Sequence, residues 1–381
     1  PLFVPTERTA LRGITVTRTK VILSLLDNVK TRLECLSRAP DGGWACDKAD
    51  GAEPVIGGLS VSAVDDDEGD DVWVTRWTHV EPQTFALGSV AKGVGGVREA
   101  EALRSLPPQF DATGVEVRQD TAVSKDGTPV PFFVITPKGA SGPVPTLLYG
   151  YGGFEIALTP NYLATVGAAW VERGGCYVEA NIRGGGEFGP AWHRAALKEK
   201  RDKAYEDFEA VAERLIETGV TTSPQLACRG GSNGGLLVGN MLVRRPDLWG
   251  AVVCAVPLLD MRRFNKLLAG ASWVAEYGDP DTADWEAHLH RYSPYHNLDP
   301  AASYPPILLT TSTRDDRVHP YHARAFVHRL AELSNCRGLA YYENIEGGHG
   351  GAADPKQQAF MMCLYIAFLE KTIGKDHAAF Q

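Results

Sequence analysis

No apolar run in the 381 residues approaches the ~18 needed to cross a bilayer as a helix, so a membrane span is not expected. No Cys-x-x-Cys pair occurs among the seven cysteines, Cys35, Cys46, Cys176, Cys228, Cys254, Cys336 and Cys363. An odd count without close pairs suggests neither a disulfide framework nor a zinc knuckle, and buried free thiols are the expectation. Positive charge is not in excess: 38 Lys+Arg against 47 Asp+Glu leave a formal charge of −9. A protein that tracks phosphate backbones needs a basic stripe, so nucleic acid is not expected as a partner. There is no internal repeat, no low-complexity tract and no charged-then-apolar leader. Because the chain opens on Pro1 rather than Met, the missing leader leaves the compartment open, with the cytoplasm favoured. Oligomeric state carries no signal. What is present is a 44% hydrophobic share with 22% charged residues, enough to fill a sizeable core. Length suggests two or three domains at roughly 150 residues each, or one large α/β unit.

Composition changes near residue 110. Upstream, short β-rich runs recur at 13–16, 20–25, 31–36, 58–64, 72–77 and 83–88, separated by Gly, Asp and Pro clusters. That pattern reads as a β-meander or part of a propeller. The acidic stretch from Asp65 to Asp71 lacks the spacing of a calcium loop and reads as a solvated turn. Leu106-Pro107-Pro108 reads as a linker. The division expected is a β-rich segment over 1–110 and a catalytic α/β domain over 111–381.

Downstream, strands alternate with helices. Runs at 115–123 and 130–136 flank Asp126-Gly127, a hairpin signal. Apolar strands follow at 146–149, 175–182, 226–230, 251–256, 307–311 and 339–343. The clearest helix is 204–218, with Phe208, Val211, Ala212, Leu215 and Ile216 on one face and Gly219 as its stop. Near-continuous apolar strands alternating with amphipathic helices imply a doubly wound, mostly parallel sheet covered on both faces.

The sharpest chemical signal is Gly230-Gly231-Ser232-Asn233-Gly234-Gly235, lying after a strand and before the helical run 236–244. This is Gly-x-Ser-x-Gly in the strand–turn–helix context that a nucleophile elbow needs. Glycines let strand and helix approach closely around a strained serine. The Asn233 amide would stand at a helix N-terminus, aimed at developing negative charge. A serine also needs a base, and the base an orienting carboxylate, in the chain order Ser, acid, His. Asp315 and Asp316 follow the strand 307–311, at the carboxyl edge where such sheets place function. His349 follows the last strand on the glycine turn 347–351. Other histidines compete less well: His319 and His322 are spaced like metal ligands but lack an acidic or Cys partner, so no metal site is expected. His288, His290 and His296 lie in a polar connection, and His193, His328 and His377 have no glycine turn or strand end beside them.

From about Asp111 to Leu369, roughly two thirds of the chain, the sequence resembles the catalytic domain of the prolyl oligopeptidase family. The matching stretches are Ser124-Lys125-Asp126-Gly127-Thr128, Tyr149-Gly150-Tyr151-Gly152-Gly153-Phe154, Asn181-Ile182-Arg183-Gly184-Gly185-Gly186-Glu187, the serine turn, Asp315-Asp316-Arg317-Val318 and Gly348-His349-Gly350. The resemblance implies an α/β-hydrolase domain beneath a seven-bladed propeller that admits only short peptides. It implies Ser232 as nucleophile, Asp315 rather than Asp316 as acid, and His349 as base. Tyr151 resembles the phenol that joins the Asn233 amide in the oxyanion hole. Phe154, Trp273, Tyr277 and Val318 match a pocket that clamps a proline ring, and Arg317 the residue that holds the next carbonyl upstream. The physics agrees with such a pocket, because a pyrrolidine in a chain is apolar and has no N–H to leave unpaired against an indole face. No metal or organic cofactor is implied; the partner implied is a short proline-containing peptide.

The sequence departs from that pattern in length. Seven blades at ~40–50 residues need about 300 residues, and about 105 precede the hydrolase region. Either the chain is a fragment of a longer one or its lid is shortened. Three other readings compete, one of them a non-enzymatic propeller-type binding module, which needs the Ser-Asp-His set to be accidental. Gly184-Gly185-Gly186-Glu187-Phe188-Gly189 satisfies the dinucleotide-binding spacing, but no acidic residue closes a strand about 20 residues on. The strongest rival is a carboxylesterase of the same fold acting on small acyl esters, since acyl chemistry is shared.

Overall fold

The computed structural model describes residues 1–46, 53–374 and 380. The chain divides into two compact units. One comprises Pro1–Thr113 with Thr159–Ala168 and Glu187–Pro190; the other comprises Gly114–Leu158, Ala169–Gly186 and Ala191–Gln381.

The first unit holds two four-stranded antiparallel sheets. Strands β1 (Thr9–Val16), β2 (Lys20–Asp27), β3 (Lys30–Arg38) and β4 (Trp44–Cys46) pair in chain order, as do β5 (Gly58–Ala63), β6 (Asp71–Trp77), β7 (Thr84–Ser89) and β8 (Glu101–Ser105). Alternation explains the pairing: Val72 and Val74 are buried and pack with Ile22, Leu33, Cys35, Val61 and Ala86 in one cluster. Two sequential up-and-down sheets of four strands are propeller-like repeats. Strands β4 and β8 were not expected from sequence, and the reason is physical. Every residue in both is exposed, so neither carries an apolar alternation to read. In the acidic turn, Asp65 to Glu68 are exposed, and Asp65 Oδ1 accepts from the Asp67 and Glu68 amides.

The second unit is built on one eight-stranded sheet. Its strands are β9 (Val115–Val123), β10 (Pro129–Pro137), β11 (Thr146–Tyr149), β12 (Cys176–Ala180), β13 (Leu226–Gly231), β14 (Ala251–Ala255), β15 (Ile307–Ser312) and β16 (Leu339–Asn344). The spatial order is β16-β15-β14-β13-β11-β12-β10-β9. The β9–β10 hairpin is antiparallel, as is β10 against β12, and every other neighbouring pair is parallel. Gly127 takes φ 85° in the hairpin turn, a conformation that glycine adopts without strain. The parallel strands β11 to β15 are near-continuously buried, because helices cover both faces, whereas the edge strand β16 is mostly half-buried. Helix Asp202–Glu217 buries Tyr205, Phe208, Val211, Ala212 and Leu215 and stops where Gly219 turns to φ 73°. This is an α/β-hydrolase sheet.

The carboxyl ends of the parallel strands gather the chemistry-bearing residues. Tyr151 follows β11, Arg183 follows β12, Ser232 follows β13, Leu258 follows β14, Asp315 follows β15 and His349 follows β16. Such a sheet leaves its ligand crevice at this edge, where connections on either side diverge. Arg183 braces one side. Its guanidinium bonds Asp207 on helix Asp202–Glu217 at 2.6 Å and Asp126 in the hairpin turn at 2.7 Å. That contact holds the Asp126 carboxyl well below the usual carboxylate range.

Candidate active site

Ser232 occupies the turn between β13 and helix Asn233–Arg244 with φ 58° and ψ −116°, a conformation that costs a non-glycine residue roughly 1–3 kcal/mol. The surroundings over-determine it. The Ser232 amide donates to Ala255 O at 3.0 Å, and its carbonyl accepts from Leu236 N at 3.1 Å as the helix starts. Only glycine fits at 230, because a Cβ there would lie 2.1 Å from Gly234 O.

Asp315 is 4% exposed, while Asp316 beside it is exposed. Asp315 Oδ1 accepts from the Arg317 and Val318 amides, both at 2.9 Å, and Oδ2 pairs with His349 Nδ1 at 2.8 Å. The sequence left these two aspartates physically equivalent; burial and pairing separate them. An imidazole that donates from Nδ1 to a carboxylate keeps its lone pair on Nε2, free to take a proton. Among the described residues, no hydrogen bond joins His349 to Ser232.

Tyr151 is half-buried on the turn after β11. Burial, and to a lesser degree the Tyr149 phenol, push the Tyr151 phenol up from its ordinary value; Arg201, the Ser232 hydroxyl and Arg317 oppose this without reversing it. It therefore stays a hydrogen-bond donor at neutral pH. The amide of Asn233 opens the helix, where the N-terminal dipole favours an anion. Tyr151, Phe154, Trp273, Tyr277, Arg317 and Val318 line one cavity together with Ser232 and Asn233. Phe154 meets Tyr277 edge-on at 5.7 Å, and Phe264, which lies outside the lining, also meets Tyr277 edge-on at 5.5 Å. Ile156 and Leu258 complete the lining and were not singled out from sequence.

Sequence reasoning also missed the polar support behind these walls. Arg201 and Glu276 are both buried and paired at 2.9 Å, and Glu276 Oε2 meets His193 Nε2 at 2.8 Å. Arg201 sits in the charged run Lys198-Glu199-Lys200-Arg201-Asp202-Lys203, which reads as solvated surface. The one available signal was Glu276, a carboxylate directly before Tyr277 and three residues after Trp273.

The remaining histidines take other roles. His322 is fully buried, accepts the Asp260 amide at 3.0 Å on Nδ1, and burial lowers it to about 4, so it is neutral. His288 Nε2 meets Tyr277 O at 2.9 Å. His377 lies outside the described residues. Among the described residues, no three His, Cys, Asp or Glu side chains gather as a metal site would require. The turn at Gly184 is filled rather than open to a pyrophosphate, since a Cβ there would lie 2.4 Å from Gly152 O.

A serine on a strained turn that opens on an aromatic-lined cavity, with a histidine–aspartate pair at the same sheet edge, forms an arrangement suited to acyl transfer. Comparison with known proteins agrees. The model of the prolyl oligopeptidase family matches residues 162–376. The chain belongs to the prolyl oligopeptidase family of serine peptidases. It is 46% identical over 375 residues to an uncharacterized peptidase of Sinorhizobium fredii, a match covering 97% of this chain and 50% of that protein. It is 36% identical over 291 residues to a prolyl endopeptidase of Elizabethkingia meningoseptica, covering 75% of this chain and 40% of that protein. Among solved structures, a post-proline cleaving enzyme from Rickettsia typhi superposes with a TM-score of 0.85 at 35% identity, covering 98% of this chain and 53% of that one. The chain thus spans about half the length of these relatives.

Proposed function

We propose that residues 111–381 form the catalytic domain of a serine peptidase that cleaves short peptides on the carboxyl side of proline, with 1–110 as a partial propeller-like segment. Ser232 is the nucleophile, His349 the base and Asp315 its orienting acid. His349 Nε2 takes the Ser232 proton as the oxygen attacks the scissile carbonyl. The new oxyanion is held by the Asn233 amide and the Tyr151 phenol. Collapse breaks the C–N bond, and His349 gives the proton to the leaving amine; water then repeats the sequence on the acyl-enzyme. These steps call on no metal or organic cofactor.

The observation that carries this reading is the single cavity lined both by Ser232 and Tyr151 and by Trp273, Phe154, Tyr277 and Val318. A flat apolar ring seated against those aromatics brings its own carbonyl to the serine, and Arg317 at the rim suits the preceding carbonyl. Profiling the products of a mixed peptide library tests the reading, with cuts expected after proline. Trp273→Ala should reduce proline amide turnover more than alanine amide turnover. Equal loss on both would remove Trp273 from the specificity pocket, and a wild-type chain that turns over aryl esters but no proline amide would make it a carboxylesterase of this fold.

A further inference from the structure

One buried ion pair reaches the Tyr151–Phe154 turn, Asn233 and Tyr277, four of the residues that line this cavity. Glu276 Oε1 accepts from the Phe154 amide and from Arg201 Nη1, both at 2.9 Å. The other Arg201 nitrogen, Nη2, donates to Asn233 Oδ1. Asn233 Oδ1 also accepts from the Tyr277 hydroxyl at 2.7 Å, and Asn233 Nδ2 donates to the Tyr151 carbonyl at 2.6 Å. Arg201 further stacks over the Tyr277 ring at 5.2 Å. The turn it braces is tight and strained. Phe154 and Glu155 take φ 56° and 57°, and a Cβ on Gly153 would fall 2.6 Å from Asn233 Nδ2. Such backbone persists only where its surroundings over-determine it.

We infer that Arg201 is a positioning residue for acyl transfer. Through Asn233 on one side and Glu276 on the other, it fixes the Tyr151–Phe154 turn, which carries both an oxyanion donor and a ring wall of the pocket. The inference rests on the reading of Ser232 as nucleophile. A planar fork suits this task, because two nitrogens at fixed separation bond two different acceptors at once. An ammonium offers a point charge without that geometry. Removing the charge altogether would strand Glu276 in the interior, so the informative changes keep charge and alter reach.

The test compares Arg201→Lys with Glu276→Asp, which keeps both charges but shortens the reach to the Phe154 amide. Active sites are titrated with a fluorophosphonate, and kcat is expressed per titrated site. A displacement of catalytic groups by about 1 Å costs on the order of 10²-fold, so kcat per site on a proline amide should fall by that order, with KM changing by less than about threefold. Glu276→Asp should also lower the preference for proline over alanine, since it frees Phe154. A merely structural role would lower Tm and the titratable fraction while kcat per site stayed at the wild-type value, and that result would overturn the inference. Should Arg201→Lys fail to fold, Glu276→Asp decides by the same readout. A wild-type chain labelled at a residue other than Ser232 would instead overturn the nucleophile assignment, and this inference with it.

Discussion

The serine turn and the histidine turn lie at the ends of strands in one sheet, and both are rich in glycine, yet glycine does different things in each. Around Ser232 the glycines create contact: a Cβ on Gly230 would collide with the Gly234 carbonyl oxygen, and Ser232 is hydrogen-bonded at both its amide and its carbonyl. Directly beside His349 they leave space, although Gly347 is packed, with a Cβ there 2.9 Å from Ala352 N. A Cβ on Gly350 would meet nothing within 4 Å, and one on Gly348 only Arg314 O at 3.8 Å. Tertiary contact pins His349 mainly through the 2.8 Å bond to Asp315. The nucleophile is thus held by backbone packing, whereas the imidazole of the base is oriented by one carboxylate, on a turn tied back to the Asn344 side chain.

Substitutions that treat the two turns alike break or sharpen this contrast. The largest effect is expected for Gly230→Ala, which forces strand and helix apart: soluble folded protein, followed by circular dichroism, should be lost or its Tm sharply lowered. Next, His349→Ala should keep the fold and Tm but lower kcat by about 10⁶-fold, as removal of the base does in another serine protease triad. Tyr151→Phe follows, with turnover reduced by roughly 10²–10³-fold, the usual loss for one oxyanion donor. Because that donor acts mainly in the transition state, KM should change little. Near-normal amide turnover in Tyr151→Phe would mean that backbone donors suffice. The smallest effect is expected for Gly350→Ala, with stability within about 0.5 kcal/mol of wild type. A Gly350→Ala chain that unfolds as Gly230→Ala does would erase the distinction between the turns.

The parts legible in the sequence were those written as local pattern. Hairpin β9–β10, the parallel strands, helix Asp202–Glu217 and the serine turn each announce themselves within a dozen residues by period and glycine placement. Strands β4 and β8 did not, since their residues are all exposed and a strand at a sheet edge can pair through backbone alone. Arg201 was illegible for the opposite reason. Its neighbours in sequence are charged and solvated, and tertiary contacts with Glu276, Asn233 and the Tyr277 ring make its burial tolerable. Asp315 and Asp316 differ in nothing that sequence chemistry can weigh. The peptide geometry after β15 turns one inward to His349 and leaves the other in solvent.

The central claim is that Ser232 is a covalent nucleophile activated by His349, and active-site labelling addresses it most directly. Treatment of the chain with a fluorophosphonate, followed by intact-mass analysis and peptide mapping, should give a single adduct on Ser232. The adduct should form far more slowly in His349→Ala and be absent in Ser232→Ala. A stoichiometric adduct that persists in Ser232→Ala would contradict the account.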